Sequence, residues 1–163
     1  VPSSKRNESP MEFFHNAIKI RKVIKNEMLI NFGLKVNAYE AAREVLKMNG
    51  LYQAYNSDYT TFEIASLRID IKKTLRTMIA EITCANNTYV TTKEEYVERR
   101  LHWDRALNMC EVLLQLLQEI TEELPVNANR LMPAVELIVK EKNLIKGVRK
   151  ADNKILKNLL TKQ

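Results

Sequence analysis

Apolar residues recur at helical spacing along most of the chain, and most regularly between residues 60 and 85. Here they follow one another at steps of three and four, which places them on one face of a helix. They are Ile64, Leu67, Ile71, Leu75, Met78 and Ile82. Thr60-Thr61-Phe62-Glu63, just before them, is typical of a capping box at a helix start. The pattern predicts a long amphipathic helix whose apolar face packs on a core.

An uninterrupted heptad pattern predicts the next helix. Thr92-Lys93-Glu94-Glu95 is typical of another capping box at its start, and Pro125 is expected to stop it. Between these limits, two series of apolar residues with seven-residue spacing form a seam. They are Trp103, Cys110, Leu117 and Leu124, with Ala106, Leu113 and Ile120. Further apolar residues widen the seam, which predicts a contact in a bundle core or between subunits.

Two more helices are predicted, one towards each end of the chain. Ser9-Pro10-Met11-Glu12 favours a helix start with a serine cap. This helix either ends near Gly33 or continues through it to about Asn49. Pro133 suits the first turn of the last helix. The buried side of that helix is expected to hold Leu131, Val135, Ile138, Ile145, Val148, Ile155 and Leu159.

These elements together predict the fold class. No strand pattern of any length is present in the sequence, and glycine and proline are few. The chain is therefore expected to be all-α, an up-down four-helix bundle with an N-terminal helical extension. Residues 1–9 are expected to form a disordered basic tail, and residues 10–163 a single helical-bundle domain.

The net charge of the chain indicates which class of partner it could bind. The 163 residues carry a net charge of +6, which favours acidic partners, nucleic acid first, although a merely basic protein remains an alternative. No apolar run approaches the roughly 20 residues needed to span a bilayer. The polar N-terminus does not resemble a signal peptide. We therefore expect a cytoplasmic protein without membrane contact.

The basic residues form rows along three of the predicted helices, and such rows can neutralise phosphates. The candidate nucleic-acid or partner-binding residues are Arg68, Lys72, Arg76, Lys142, Lys146, Arg149, Lys150, Lys154, Lys157, Lys19, Arg21, Lys22 and Lys25. The alternative for the last helix is a solvated face that only keeps the protein in solution. For Arg68, Lys72 and Arg76, bridges to helix acids such as Asp70 or Glu81 are an equal alternative.

The sequence holds no residue set for catalysis. Glu98 and His102 are four residues apart, whereas a di-iron bundle needs Glu and His three apart, twice. No glycine-rich loop for phosphates and no cysteine pair with zinc spacing is present. Cys84 and Cys110 lie near apolar stripes and are expected to be buried thiols rather than a disulfide. We expect no enzyme, no metal and no cofactor.

Three segments resemble the accessory variability determinant (Avd) proteins of diversity-generating retroelements. The first contains Phe62-Glu63-Ile64-Ala65-Ser66-Leu67-Arg68-Ile69-Asp70, then Leu75 and Met78-Ile79-Ala80-Glu81. The second leads from Arg99-Arg100-Leu101 through Leu113-Leu114 to Ile120. The third is Leu144-Ile145-Lys146-Gly147-Val148-Arg149-Lys150. Residues 1–30 depart from the family pattern.

This resemblance implies a specific role. Avd proteins are four-helix bundles related to the ribosomal intervening-sequence proteins, and they assemble as pentamers with a basic surface. An Avd-like chain would bind a reverse transcriptase and RNA as an accessory factor in mutagenic retrohoming.

Two alternative functions belong to other classes of protein. One is a secreted four-helix signalling protein that binds a receptor, which needs Cys84 bridged to Cys110. The other is a purely structural helical oligomer.

Overall fold

The computed structural model describes residues 11–34, Met48 and residues 59–162. They form the helices α1 (Glu12–Leu29), α2 (Tyr59–Asn87), α3 (Lys93–Glu123) and α4 (Met132–Thr161), with short 3₁₀ helices at Asn31–Gly33 and Ala128–Arg130. No strand occurs in these ranges, and the prediction of an all-α four-helix bundle is confirmed. The predicted tail at 1–9 lies outside the described residues, as do all of 35–49 except Met48.

The four helices form a ring in chain order. Each packs against the helices before and after it, and α4 closes the ring against α1. Glu12 near the start of α1 pairs with Lys140, whereas Glu27 near its end pairs with Arg130, so α1 and α4 run antiparallel. Paired contacts at two levels show in the same way that α2 runs antiparallel to α3, and α3 antiparallel to α4. This is the up-down topology.

The core is built from the two strongest sequence patterns. The six predicted residues of α2 and the seven seam residues of α3 are all buried. Trp103 has 0% exposure, and its ring meets Phe13 of α1 edge-on with 5.1 Å between centroids. The seam therefore packs inside its own chain rather than between subunits. The predicted N-terminal extension is the first helix of the bundle.

The start and the end of α1 can be compared with the sequence-based prediction. Met11 precedes the first turn and its side chain makes no capping hydrogen bond, while the predicted serine cap at Ser9 lies outside the described residues. The helix ends at Leu29, close to Gly33, so the option of one helix to Asn49 is wrong. The chain then turns through positive φ values of 52°, 56° and 79° at Asn31–Gly33, which buries Phe32. A local pattern could not show that this turn gains a buried aromatic ring.

Other helix ends follow their sequence signals more closely. The capping box of α3 is confirmed, because the Thr92 side chain accepts a hydrogen bond from the Glu95 N–H while the Glu95 carboxylate accepts one from the Thr92 N–H. The start of α2 lies at Tyr59, one residue before the predicted Thr60. Helix α3 ends at Glu123, just ahead of Pro125 as predicted.

Two apolar residues predicted to be buried are exposed. Ile155 on α4 is 38% exposed, and Cys84 near the end of α2 is exposed too. Helix α1 begins opposite Lys140, so within the described residues no fourth helix covers the last turns of α4. The buried side of α4 also includes two acidic residues, Glu141 and Asp152.

A pair of glycine substitutions tests the turn after α1. Gly33 has φ +79°, and an added Cβ would lie 2.8 Å from Arg130 Nε, so Gly33→Ala is expected to lower the free energy of unfolding by about 1–2 kcal/mol. Gly147 lies inside α4 with open space around it, so Gly147→Ala is expected to raise the free energy of unfolding by about 0.5–1 kcal/mol. Urea unfolding of both variants measures this, and a Gly33→Ala variant as stable as wild type would contradict the left-handed turn.

Candidate nucleic-acid interface

Contacts between acidic and basic side chains cross three of the four seams between neighbouring helices. They are Glu12–Lys140 (2.8 Å) between α1 and α4, and Glu27–Arg130 (2.7 Å) between α1 and the 3₁₀ helix just before α4; Lys142–Glu111, Arg149–Asp104 (3.3 Å) and Arg99–Asp152 (2.8 Å) between α3 and α4; and His102–Glu81 (2.5 Å) between α2 and α3. Among the described residues, no such contact crosses the seam between α1 and α2. That seam therefore differs electrostatically from the other three.

The flank of α2 that faces α1 carries basic residues. Arg68 marks this flank, because its guanidinium donates a hydrogen bond of 2.6 Å to the Met28 carbonyl at the end of α1. At 100° per residue, Lys72 and Arg76 lie about 40° and about 80° further round, towards solvent. Both are exposed. Glu81 lies on the other flank, where it contacts α3.

The flank of α1 that faces α2 is basic as well. Glu12 contacts Lys140 of α4, and Glu27 contacts Arg130 just before α4; these contacts define the opposite flank of α1. Arg21 and Lys25 lie about 150° or more round the helix from that direction. Both side chains are exposed. They border the seam with α2.

These two flanks meet as one surface. Because Met28 lies beside Arg68 and the helices run antiparallel, the basic pair of α1 lies level with the basic pair of α2. We call Arg21, Lys25, Lys72 and Arg76 the α1–α2 cationic face. The exposed Lys22 and Lys73 adjoin it, and Lys73 is not among the residues that the sequence predicts to bind. Arg68 lies at the base of this face, with its guanidinium engaged by Met28 and Asn31.

No carboxylate lies on this face within the described ranges. The two acidic residues of α1 are on its α4 flank. The acidic residues of α2, Glu63, Asp70 and Glu81, fall at helical positions on the α3 flank. The bridges from the basic row of α2 to Asp70 or Glu81 that the sequence left open are not formed. The cations of this face therefore add their potentials without internal compensation.

The basic residues predicted on α4 divide into two groups. Lys142 and Arg149 are paired with Glu111 and Asp104 of α3, so part of their charge is compensated. The other four are exposed, lie within an arc of about 80° and have no carboxylate partner among the described residues. We call Lys146, Lys150, Lys154 and Lys157 the α4 lysine row. Asp152 is buried and bound to Arg99, so it does not compensate the row.

Lys19 completes the set of candidate residues and lies apart from both surfaces. It is exposed on the flank of α1 that faces α4. Its charge helps to lower the pKa of Glu12, although the hydrogen bond from Lys140 to that carboxylate is the main cause. Lys19 therefore acts on an existing ion pair and is not a member of the α1–α2 cationic face.

The described residues form neither a cluster of metal ligands nor a membrane-spanning helix. No group of three or more His, Cys, Asp or Glu side chains in the described ranges could hold a metal ion. None of the helices there is both long and apolar enough to cross a membrane. The arrangement offers exposed lysine and arginine side chains in rows, and side chains of this kind can contact phosphates without reading bases.

The cysteines bear on the signalling alternative. Cys84 and Cys110 are both free thiols, and the bridge that a secreted signalling protein was expected to need is not formed. Cys110 is buried beside Met78, with 3.7 Å between the sulfur atoms. The expectation of a buried thiol is confirmed for Cys110 and is wrong for Cys84.

A thiol titration tests this difference. Burial is the main cause that raises the pKa of Cys110 to about 12, so this thiol is expected to stay unreactive in the folded protein at neutral pH. Cys84 is exposed and is expected to react at once. The aromatic disulfide DTNB should therefore label Cys84 in the native protein and both thiols in urea. Rapid labelling of Cys110 in the native Cys84→Ser variant would contradict the packing of α3.

Comparisons with known proteins add no family to these observations. No protein-family model matches the chain, and no curated protein or solved structure matches it. The resemblance to the Avd proteins therefore stays a prediction that rests on the three segments quoted above. A function has to be argued from the basic surfaces of the bundle.

Proposed function

We propose that this chain is a non-enzymatic adaptor that binds the phosphate backbone of RNA or DNA through its α1–α2 cationic face. The observation that supports this proposal is that no carboxylate of the described residues lies on that face, although the other three seams are bridged by acidic side chains. A basic face that served only to keep the protein in solution would not need its cations gathered on two adjoining helices. Phosphates can supply the missing negative charge.

Such binding has a recognisable dependence on salt. When a lysine or arginine neutralises a phosphate, counterions are released, and the binding constant K falls more steeply with salt. Each neutralised phosphate changes the slope of log K against log salt by about −0.9 for duplex DNA or about −0.7 for a single strand. The four cations of the face therefore support a slope of about −3 to −4. Phosphate contacts fix position rather than sequence, so we expect weak sequence preference.

The protein partner in this proposal comes from the resemblance. An Avd-like adaptor would present bound RNA to a reverse transcriptase, in the cytoplasm, as a homo-oligomer and in that family as a pentamer. The heptad seam of α3 is buried inside the chain, so in this proposal the subunits contact one another through the outer faces of the helices. Light scattering of the purified protein gives the mass on which the oligomer depends.

A matched pair of variants tests the binding face. Lys72 and Arg76 belong to the face, whereas Lys93 and Arg105 are exposed cations of α3 that lie away from it. We expect Lys72→Glu/Arg76→Glu to weaken binding of a structured RNA hairpin about tenfold or more, and to reduce the salt slope by about two. Filter binding at two salt concentrations measures both quantities.

The control variant decides how the result is interpreted. Lys93→Glu/Arg105→Glu makes the same change in net charge and is expected to alter the slope little. If both variants lose affinity equally, net charge and not the face attracts RNA. If wild type shows no binding even at low salt, the proposed function is wrong.

A further inference from the structure

The bundle has a second basic surface on the side away from the first. In a ring of four helices, the seam between α3 and α4 lies opposite the seam between α1 and α2. Lys142 marks the direction from α4 to α3, because it pairs with Glu111. Lys146 and Lys157 lie about 40° and about 60° beyond Lys142, and the rest of the α4 lysine row lies further out. The row therefore faces away from the α1–α2 cationic face.

The α4 lysine row is long enough to act as a binding surface by itself. From Lys146 to Lys157 the helix rises about 16 Å, at 1.5 Å per residue. Successive phosphates of one strand of duplex DNA are about 3.4 Å apart along the axis. The row can therefore follow several phosphates of one strand.

One nucleic-acid segment on one face does not reach the other face. Packed helices lie about 8–10 Å apart, and each is about 10–12 Å wide with its side chains, so the bundle is roughly 20 Å across. This distance exceeds the Debye length of about 8 Å at physiological salt, so two polyanions on opposite sides repel each other weakly. The geometry permits both faces to be occupied together.

We propose that a single protomer binds two nucleic-acid segments at once, one on the α1–α2 cationic face and one on the α4 lysine row, and so bridges them. This inference rests on the proposed function, since it takes phosphate binding by the first face as given. It adds a second site of the same ligand class and an activity that one site lacks. A bridging protein brings two strands, or two parts of one RNA, to within the width of the bundle.

A two-step capture assay tests bridging. An RNA hairpin is fixed to beads, the protein is added, unbound protein is washed away, and a fluorescent hairpin of unrelated, non-complementary sequence follows. Wild type is expected to retain the fluorescent RNA. Lys150→Glu/Lys154→Glu and Lys72→Glu/Arg76→Glu should each still bind the beads through the intact face, and each should retain at least tenfold less fluorescent RNA. Lys19→Glu/Arg105→Glu changes two exposed cations outside both surfaces, so it serves as the charge-matched control and should retain as much as wild type.

The outcomes separate this inference from the proposed function. If Lys150→Glu/Lys154→Glu bridges as well as wild type, the lysine row is not a second site, although RNA binding by the first face stands. The same result is expected if bridging comes from an oligomer whose subunits bind one RNA each. If either variant fails to bind the beads, the surface that it leaves intact does not bind RNA by itself, and the bridging inference is wrong. If wild type itself is not captured, the proposed function fails as well.

Discussion

The Glu141→Gln variant is expected to be more stable than the wild-type protein, by a margin that grows as the pH rises from about 5 to about 9. Glu141 has 0% exposure, and its carboxylate accepts one hydrogen bond, 2.8 Å long, from the Asn16 amide of α1. Burial is the main cause that raises the pKa of Glu141 from 4.5 to about 8. The neutral carboxyl is therefore the form that fits the core.

The direction of the pH effect follows from the two states. Below about pH 4.5 the carboxyl is neutral both folded and unfolded, and its full contribution to stability is present. As the pH rises towards the folded-state pKa of about 8, the unfolded chain has lost this proton while the folded chain still holds it. Stability is lost over that range, by an amount on the order of 4 kcal/mol. A glutamine does not ionise, and its amide N–H can donate to Asn16 Oδ1, which has no hydrogen-bond partner among the described residues.

Urea unfolding across this pH range measures the effect. The difference in free energy of unfolding between Glu141→Gln and wild type should be small at pH 5 and reach a few kcal/mol near pH 9. Glu136 is an exposed carboxylate of the same helix, so Glu136→Gln is the matched control, and its difference should stay flat. A flat difference for Glu141→Gln as well would show that this carboxyl ionises normally.

Trp103→Ala is expected to lower the free energy of unfolding by about 3–5 kcal/mol. The indole is fully buried where α1 and α3 meet, with Phe13 against its edge and the Arg99 guanidinium 5.8 Å from its ring centre. Its removal leaves a cavity that these neighbours fill only in part. Since small domains are stable by only about 5–15 kcal/mol, the variant is expected to be partly unfolded at physiological temperature.

Circular dichroism follows this unfolding, because Trp103 is the sole tryptophan and fluorescence is lost with it. Trp103→Phe keeps a ring and removes a buried indole N–H that has no partner among the described residues, so its loss should be smaller, about 1–2 kcal/mol. Val112→Ala, at an exposed site of the same helix, should change stability by less than about 0.5 kcal/mol. A Trp103→Ala variant as stable as Val112→Ala would mean that the indole lies outside the core.

The parts of the fold that the sequence predicted are those that repeat. In the apolar stripe of α2 and in the heptads of α3, several residues indicate the same buried face, so one misleading residue does not change the predicted face. The capping box at Thr92 is equally local, since its partner Glu95 is three residues away. Helix number and the α3 start could therefore be predicted without any knowledge of tertiary contacts.

The parts that the sequence missed depend on how the helices are rotated and aligned. Glu141 falls between Ile138 and Ile145 on the buried side of α4, but a carboxylate is normally taken as a surface residue. Nothing near Lys142 or Arg149 in the sequence shows that α3 supplies their acids. The sequence predicts the basic rows of α1 and α2 separately. It does not show that the two rows lie side by side, because that depends on the contact between Arg68 and the end of α1.

Arg68 has a consequence for any alanine scan of the basic residues. Its guanidinium donates hydrogen bonds to Met28 and Asn31, so Arg68→Ala removes the partner of a carbonyl at the end of α1 and lowers the fraction of folded protein. An apparent dissociation constant rises as the binding-competent fraction falls, so the scan would score Arg68 as an RNA contact. The number of counterions released by the remaining folded molecules would not change. The salt slope therefore distinguishes a residue that holds the helix end from one that holds a phosphate.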